Sequence, residues 1–269
     1  MPNDARLEDL ITDVQANRKY AQITPALIQR LSADALAKGL SGKSAVKSVR
    51  NKLHQVGGAY FRSHPDFEAA RAQLAKLDTA PDSPALRQFC RDQMASHAST
   101  AERLPILPEF FQTCLASIAP LTSVLDLACG LNPLAAPWMP LATECTYTAC
   151  DIYQDMLAFV KAFFEHTGIN GEALPCDLVG ETPTQTAQVA FLLKAIPCLE
   201  QIDKDIGLPL LQGINAKHIL VSFPARSLGG HRKGMPAFYR DHFHTLVDGQ
   251  GWQIREFTFP SEIAFLVTQ

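Results

Sequence analysis

The stretch from Val124 to Leu134 constrains this chain most: an apolar run reaches Ala128 and Cys129, then meets Gly130 and the pair Asn132-Pro133. An apolar run bounded in this way reads as a buried strand that stops abruptly and turns tightly. Nucleotide sites of α/β proteins begin like this. Gly130, which has no Cβ, lets the backbone approach a ligand closely. A second strand-like run, Cys145 to Cys150, ends in Asp151. An acid about 20 residues past the first turn is where a doubly wound sheet holds ribose hydroxyls beside its switch point. The same residues also fit an ordinary buried strand followed by a turn.

The dinucleotide fingerprint G-x-G-x-x-G is missing from the first turn, which favours a single nucleoside such as S-adenosyl-L-methionine over a nicotinamide or flavin. Beyond Asp151 the pattern alternates. Strands are expected at 172–177, 188–194 and 218–223, with a hairpin of 252–259 and 262–268 around Pro260-Ser261. Helical stretches at 156–166 and 199–213 fill the gaps. The fold class expected is α/β: a Rossmann-like methyltransferase sheet of parallel strands with an antiparallel pair at its edge.

The N-terminal third has helical period instead, at 7–14, 25–38, 41–56 and 66–78, with Pro25 at a helix start. The segment Thr79 to Pro84 reads as a break. We therefore expect a helical domain, residues 1–90, ahead of a catalytic domain, residues 91–269. With 269 residues, 47% hydrophobic and 19% charged, the chain can bury a full core and a small second domain. No apolar run approaches the roughly 18 residues of a spanning helix, and the N-terminus lacks a signal-peptide pattern, so a cytoplasmic location without membrane contact is expected. The seven cysteines show no C-x-x-C spacing. They read as small buried hydrophobes rather than disulfides or a metal site.

A net charge of −3 argues against a nucleic-acid partner, but its distribution argues the other way. Residues 35–65 contain no Asp or Glu while carrying Lys38, Lys43, Lys47, Arg50, Lys52 and Arg62. Lys43, Lys47 and Arg50 recur at helical spacing opposite a stripe of Val46, Val49, Leu53 and Val56. Such a basic face suits either solubility or phosphate contacts.

Three motifs together resemble a known family. Asp126-Leu-Ala-Cys-Gly-Leu-Asn-Pro-Leu134, His97-Ala-Ser-Thr-Ala-Glu-Arg-Leu104 and Val221-Ser-Phe-Pro-Ala-Arg-Ser-Leu-Gly-Gly-His-Arg-Lys-Gly-Met235 are similar to the aminoglycoside-resistance 16S rRNA methyltransferases of the Arm/Rmt type. The similarity runs from about Tyr20 to the C-terminus. It implies methylation of guanine N7 in the decoding A site of 16S rRNA in the small ribosomal subunit, with S-adenosyl-L-methionine as donor and no metal.

The resemblance also implies roles for individual residues. Ala128, Gly130 and Asp151 would contact the cofactor. Ser99-x-x-Glu102 has capping-box spacing, which puts Arg103 in the first turn of a helix; the family's matching Arg holds the methionine carboxylate, whereas the residues alone fit a surface Arg paired with an acid. Asp177, at the end of the third strand, would accept from the adenine amino group, or simply cap a strand. Lys194 and Glu200 match family positions near the target. Lys194 closes the fourth strand over the crevice where open sheets bind ligands, or snorkels out of it. The basic, glycine-rich segment 225–234 would order on RNA through Arg226, Arg232 and Lys233, or be an exposed connection. Its Gly230-His231-Arg232 departs from the family's frequent Gly-Gly-Arg. Two rival classes stay open: a methyltransferase of the same fold acting on another RNA position or a small molecule, and an inactive RNA-binding relative.

Overall fold

A computed structural model describes residues 2–58, 60–61, 64–225 and 235–269. Arg62, Arg226, Arg232 and Lys233, and with them the expected lid, lie outside the described residues. The helices are α1 (Pro2–Gln15), α2 (Pro25–Ala37), α3 (Gly42–Leu53), α4 (Phe67–Leu74), α5 (Pro84–Met94), α6 (Ala98–Arg103), α7 (Leu107–Leu115), α8 (Gln154–Thr167), α9 (Ile196–Leu199), α10 (Gly207–Gly213) and α11 (Met235–Leu246). The strands are β1 (Leu121–Leu127), β2 (Leu141–Asp151), β3 (Asn170–Pro175), β4 (Ala187–Leu193), β5 (Ala216–Pro224), β6 (Gln253–Thr258) and β7 (Glu262–Thr268).

The strands form one sheet in the order β3-β2-β1-β4-β5-β7-β6. β1 pairs in parallel with β2 and β4, β2 with β3, and β4 with β5, while β7 runs antiparallel to both β5 and β6. Nearly every residue of β4 and β5 is buried, as expected of central parallel strands covered on both faces. The chain order reverses between β1 and β4. Their carboxyl ends therefore border the crevice where sheets of this kind take ligands.

Two apolar clusters sandwich the sheet. One joins α10 and α11 to Leu125, Leu192 and Val221. The other runs without interruption from Leu27, Ile28 and Leu31 of α2 and Val49 and Leu53 of α3 through Phe159 and Phe163 of α8 to Val124 and Phe191. The expected domain boundary near residue 90 falls inside α5, so the apolar core spans it. α3 buries Ala45, Val49 and Leu53 and continues as a single wide π turn, His54–Gly58. Asp66 caps α4 by accepting from the Ala69 N–H at 2.9 Å.

The helix expected over 199–213 is two helices. Pro209 inside a continuous helix would remove a donor and clash with the preceding turn. The chain instead turns over 200–206, where the Asp203 carboxylate accepts from the Asp205 N–H at 3.1 Å, and restarts at Gly207.

Because one cluster spans both regions, Leu31→Ala, which empties a site only 1% exposed, should cost about 2–5 kcal/mol and unfold the chain in one step. Tryptophan fluorescence, reporting Trp138 and Trp252 beside the sheet, and far-UV circular dichroism, weighted to the helices, should shift together in denaturant. Separate transitions would show two independent units.

Candidate functional site

A cleft of about 790 Å³ opens over the carboxyl ends of β1, β2 and β4. Ala128 and Cys129 follow β1, Asp151 ends β2, Cys176 and Asp177 follow β3, and Lys194 follows β4; all line it. The helical region supplies the facing wall through Leu27, Val56, Gly57 and Tyr60. Two non-glycine residues at strand ends, Ala128 (φ 49°) and Lys194 (φ 59°), sit in the left-handed region. Backbone strain of this kind concentrates where a ligand must be met.

Asp151 has a constrained carboxylate. Its Oδ2 accepts from the Gly130 N–H at 2.8 Å, and its Oδ1 from Ile152 at 2.6 Å and Tyr153 at 3.3 Å. Burial raises its pKa, and the three N–H donors oppose the rise. Gly130 has a positive φ of 52°, and a Cβ there would meet the His97 ring at 2.8 Å. Gly130 is absent from the cavity wall, which is formed instead by Ala128 and Cys129.

His97 thus packs under the first turn. It stacks on Tyr60 at 5.5 Å, meets Phe61 edge-on at 4.9 Å, and has a buried Nδ1 without a partner among the described residues. Burial and the charges of Arg103 and Lys194 push its pKa down to about 3, which keeps the ring neutral. The Tyr60 hydroxyl and the Cys198 thiol hydrogen-bond on the same cavity wall.

Arg103 is placed otherwise than expected. α6 begins at Ala98, so Arg103 falls in its last turn, fully buried behind the cavity. Its Nε and one terminal nitrogen donate to the two Glu262 oxygens at 3.0 and 2.6 Å, and the other terminal nitrogen donates to Asn132 Oδ1 at 3.0 Å. A guanidinium removed from water needs a carboxylate, and Glu262, also fully buried, provides it. Ser222 donates to the same carboxylate, and the neighbouring cations hold the Glu262 pKa below its ordinary value against burial.

Lys194, 5% exposed, places Nζ 2.8 Å from Glu102, 3.5 Å from Glu262 and 3.3 Å from the Ser99 carbonyl oxygen. It does not snorkel into solvent. Glu200 accepts from His242 of α11 at 2.9 Å, outside the residues that line the cavity. Asp177 lies two residues past β3, where Arg30 of α2 grips it with two bonds of 2.6 and 2.8 Å.

On the outer face of α3, Lys43 and Lys47 are exposed beside a groove that Asp13, Gly42 and Asn51 also line. Arg50 differs from this expectation. It is half-buried and donates to the Asp13 and Val14 carbonyls, satisfying the free end of α1. Sequence reasoning missed Arg30, His97, Tyr60 and Glu262. The one local signal was for Glu262, a lone acid opening the apolar run Ile263 to Val267.

The donor set fits a nucleoside sulfonium. Asp151 and Asp177 offer acceptors at two strand ends, and Leu27, Ile152, Leu178 and Val179 offer apolar surface for a base. His97 is neutral and the Lys194 ammonium is balanced by Glu102 and Glu262, so among the described residues no uncompensated cation on the wall repels a sulfonium. Among the described residues, no cluster of His, Cys, Asp or Glu is arranged to hold a metal, and no helix is long and apolar enough to cross a membrane.

A seven-stranded sheet in this order, with acids at the ends of β2 and β3 facing a cleft at the switch point, defines a Rossmann-like S-adenosylmethionine-dependent methyltransferase. Comparison narrows the class. The family model described as ribosomal RNA methyltransferase (FmrO) matches residues 16–266, and this chain belongs to that family. It is 33% identical over 268 residues, 99% of this chain and 97% of the relative, to the 16S rRNA (guanine(1405)-N(7))-methyltransferase of Micromonospora echinospora. It is 31% identical over 261 residues, 97% of this chain and 98% of the relative, to the enzyme of the same name from Serratia marcescens. Among solved structures, the 16S rRNA methyltransferase RmtF in complex with S-adenosyl-L-homocysteine superposes with a TM-score of 0.83 at 30% identity, covering 98% of each chain. The 16S rRNA methylase RmtB gives 0.80 at 25% identity with the same coverage.

The buried network beneath the cleft carries its own pH signature. Asp126 accepts from Asn132 at 2.9 Å and Tyr147 at 2.7 Å, and burial pushes its pKa up to about 7. The folded chain therefore holds a proton there that the unfolded chain releases near pH 4, and this contribution to stability declines as pH rises from about 4 to 7. Asp126→Asn keeps both acceptor bonds and does not titrate. Its unfolding free energy relative to wild type should climb across that window by up to about 1.4 kcal/mol per pH unit. A pH-independent difference in denaturant titrations would mean that Asp126 stays ionised.

Proposed function

We propose that this chain methylates N7 of a guanine in the decoding A site of 16S rRNA within the assembled small ribosomal subunit, in the cytoplasm, and so confers aminoglycoside resistance. The carrying observation is the full-length similarity to enzymes named for this reaction, joined to a cleft whose walls are shared by the sheet and a helical region with a basic face.

The bound cofactor supplies an already activated sulfonium methyl. Guanine N7 offers a lone pair and has no proton to lose, so no general base is needed and catalysis is positioning. The Asp151 carboxylate, with one lone pair left by its three backbone donors, would accept from a ribose hydroxyl and Asp177 from the adenine amino group. Lys194, the cation on the wall, contacts the methionine end or the incoming target. Glu102 and Glu262 keep its ammonium fixed at the cleft floor. In an A-form helix N7 faces a groove too deep and narrow for side chains, so the guanine must be unstacked and presented to the cleft. Residues 1–90 act as the docking region in this reading, with Lys43 and Lys47 toward phosphates, and residues 91–269 as the catalytic part.

The product is diagnostic. N7 methylation puts a fixed positive charge on the guanine ring, so borohydride followed by aniline should cleave the strand at one decoding-region guanine after small subunits are incubated with the protein and S-adenosyl-L-methionine. Cells expressing the chain should resist the kanamycin and gentamicin group. Modification of an adenine, of another guanine or of a small molecule would replace this reading.

Docking is tested separately. Lys43→Glu with Lys47→Glu should weaken small-subunit binding and flatten its logarithmic salt dependence by about two phosphate contacts, with S-adenosyl-L-homocysteine affinity unchanged. Normal subunit binding would return α3 to a solubility role.

A further inference from the structure

Asp177, the carboxylate assigned to the adenine amino group, is not oriented by its own strand. Its loop places the Val179 N–H 3.2 Å from Oδ1 and folds the Gly180 and Glu181 N–H groups onto its backbone carbonyl, each at 2.9 Å. The remaining control comes from α2, 147 residues earlier. Arg30 Nε donates to Oδ2 at 2.6 Å and a terminal nitrogen donates to Oδ1 at 2.8 Å, a fork that fixes both the position and the plane of the carboxylate. The pair is half-enclosed, with side-chain exposures of 24% and 10%.

Gly180 closes over this pair: a Cβ there would meet Asp177 Oδ2 at 3.1 Å and Arg30 Nε at 3.3 Å. The pair is also a partition. Asp177 lines the cofactor cleft on one side, and Arg30 and Asp177 together line an outer groove with Thr24, Ala26 and Pro175 on the other. The start of α2 is fastened to the neighbouring acid loop too. The Thr24 N–H donates to the Ile152 carbonyl and the Gln154 N–H to the Gln22 carbonyl, both at 2.8 Å, immediately after Asp151.

We infer that Arg30 is a positioning residue for adenine recognition: by gripping Asp177 from α2, it aims one carboxylate oxygen into the cleft and makes selection of the 6-amino group depend on the helical region. This rests on reading the cleft as the S-adenosyl-L-methionine site and is independent of the RNA target. A carboxylate accepts up to about four hydrogen bonds. Arg30 and Val179 take three here, which leaves Oδ2 one lone pair for a further donor. Without the fork, Asp177 is free to rotate toward the outer groove and its water.

The test is calorimetry with two ligands, S-adenosyl-L-homocysteine and its analogue carrying purine without the 6-amino group. Wild type should prefer the adenine ligand by about tenfold, the worth of a hydrogen bond to a charged acceptor. Arg30→Met keeps an unbranched stem in the wall and removes the fork. It should bind S-adenosyl-L-homocysteine about tenfold more weakly and fall to about twofold preference. Arg30→Lys, which keeps the charge but cannot make the two-pronged bond, should lie between. Arg30→Met in an Asp177→Asn background should add little. Equal losses for both ligands in Arg30→Met would assign Arg30 a purely structural role and overturn the proposal, as would wild-type preference retained in Arg30→Met or absent from wild type. A wild-type chain that binds neither ligand would instead remove the cofactor reading itself.

Discussion

The arrangement of the cleft depends on one buried ion pair, Arg103 with Glu262. Both side chains are wholly out of solvent, where an isolated charge is untenable and a partner must come with full hydrogen bonding. Glu262 opens β7, Arg103 closes α6, Ser222 belongs to β5 and Lys194 follows β4, so one carboxylate ties together four parts of the chain. The antiparallel edge hairpin therefore supplies the negative charge that lets two cations sit beneath a site built for a cationic cofactor. Truncating Glu262 would leave Arg103 uncompensated, a change that costs roughly 3–5 kcal/mol at buried pairs.

From that pair the order spreads upward. Asn132 accepts from Arg103 and donates to Asp126, which fixes the turn after β1 from below. His97, in the residue before α6, fills the space that a side chain at position 130 would need. The first turn is thus pinned by side chains on one face and by Asp151 on the other. A side chain at position 130 is opposed both by the left-handed backbone and by the contact with His97.

How much was legible in the sequence follows from the range of each interaction. The strands were readable because central parallel strands are apolar throughout, and Asp151 because its offset from the first turn is set by one strand, turn and strand. Arg30 and Glu262 were not, since their partners lie 147 and 159 residues away and local periodicity says nothing about them. Arg103 was misplaced for the same reason: Ser99 and Glu102 have capping-box spacing, yet Glu102 turns to Lys194 and the helix begins two residues earlier, at Ala98 with His97 as its N-cap. The single helix expected over 199–213 ignored Pro209. Arg50 fitted the basic stripe by spacing, but the unsatisfied carbonyls ending α1 compete for it.

The shared wall also bears on how such a chain takes a macromolecular target. A sheet of this kind can hold a nucleoside with loops alone, yet here Leu27, Val56, Gly57 and Tyr60 come from the helical region and complete the cleft. Gly57 packs so closely that a Cβ would meet the Tyr153 ring at 2.9 Å, and Tyr60, which also lines the cleft, is bonded to Cys198. The region that carries the basic face is thus also the region that completes the cleft, and it cannot be separated from the sheet without dismantling the core they share.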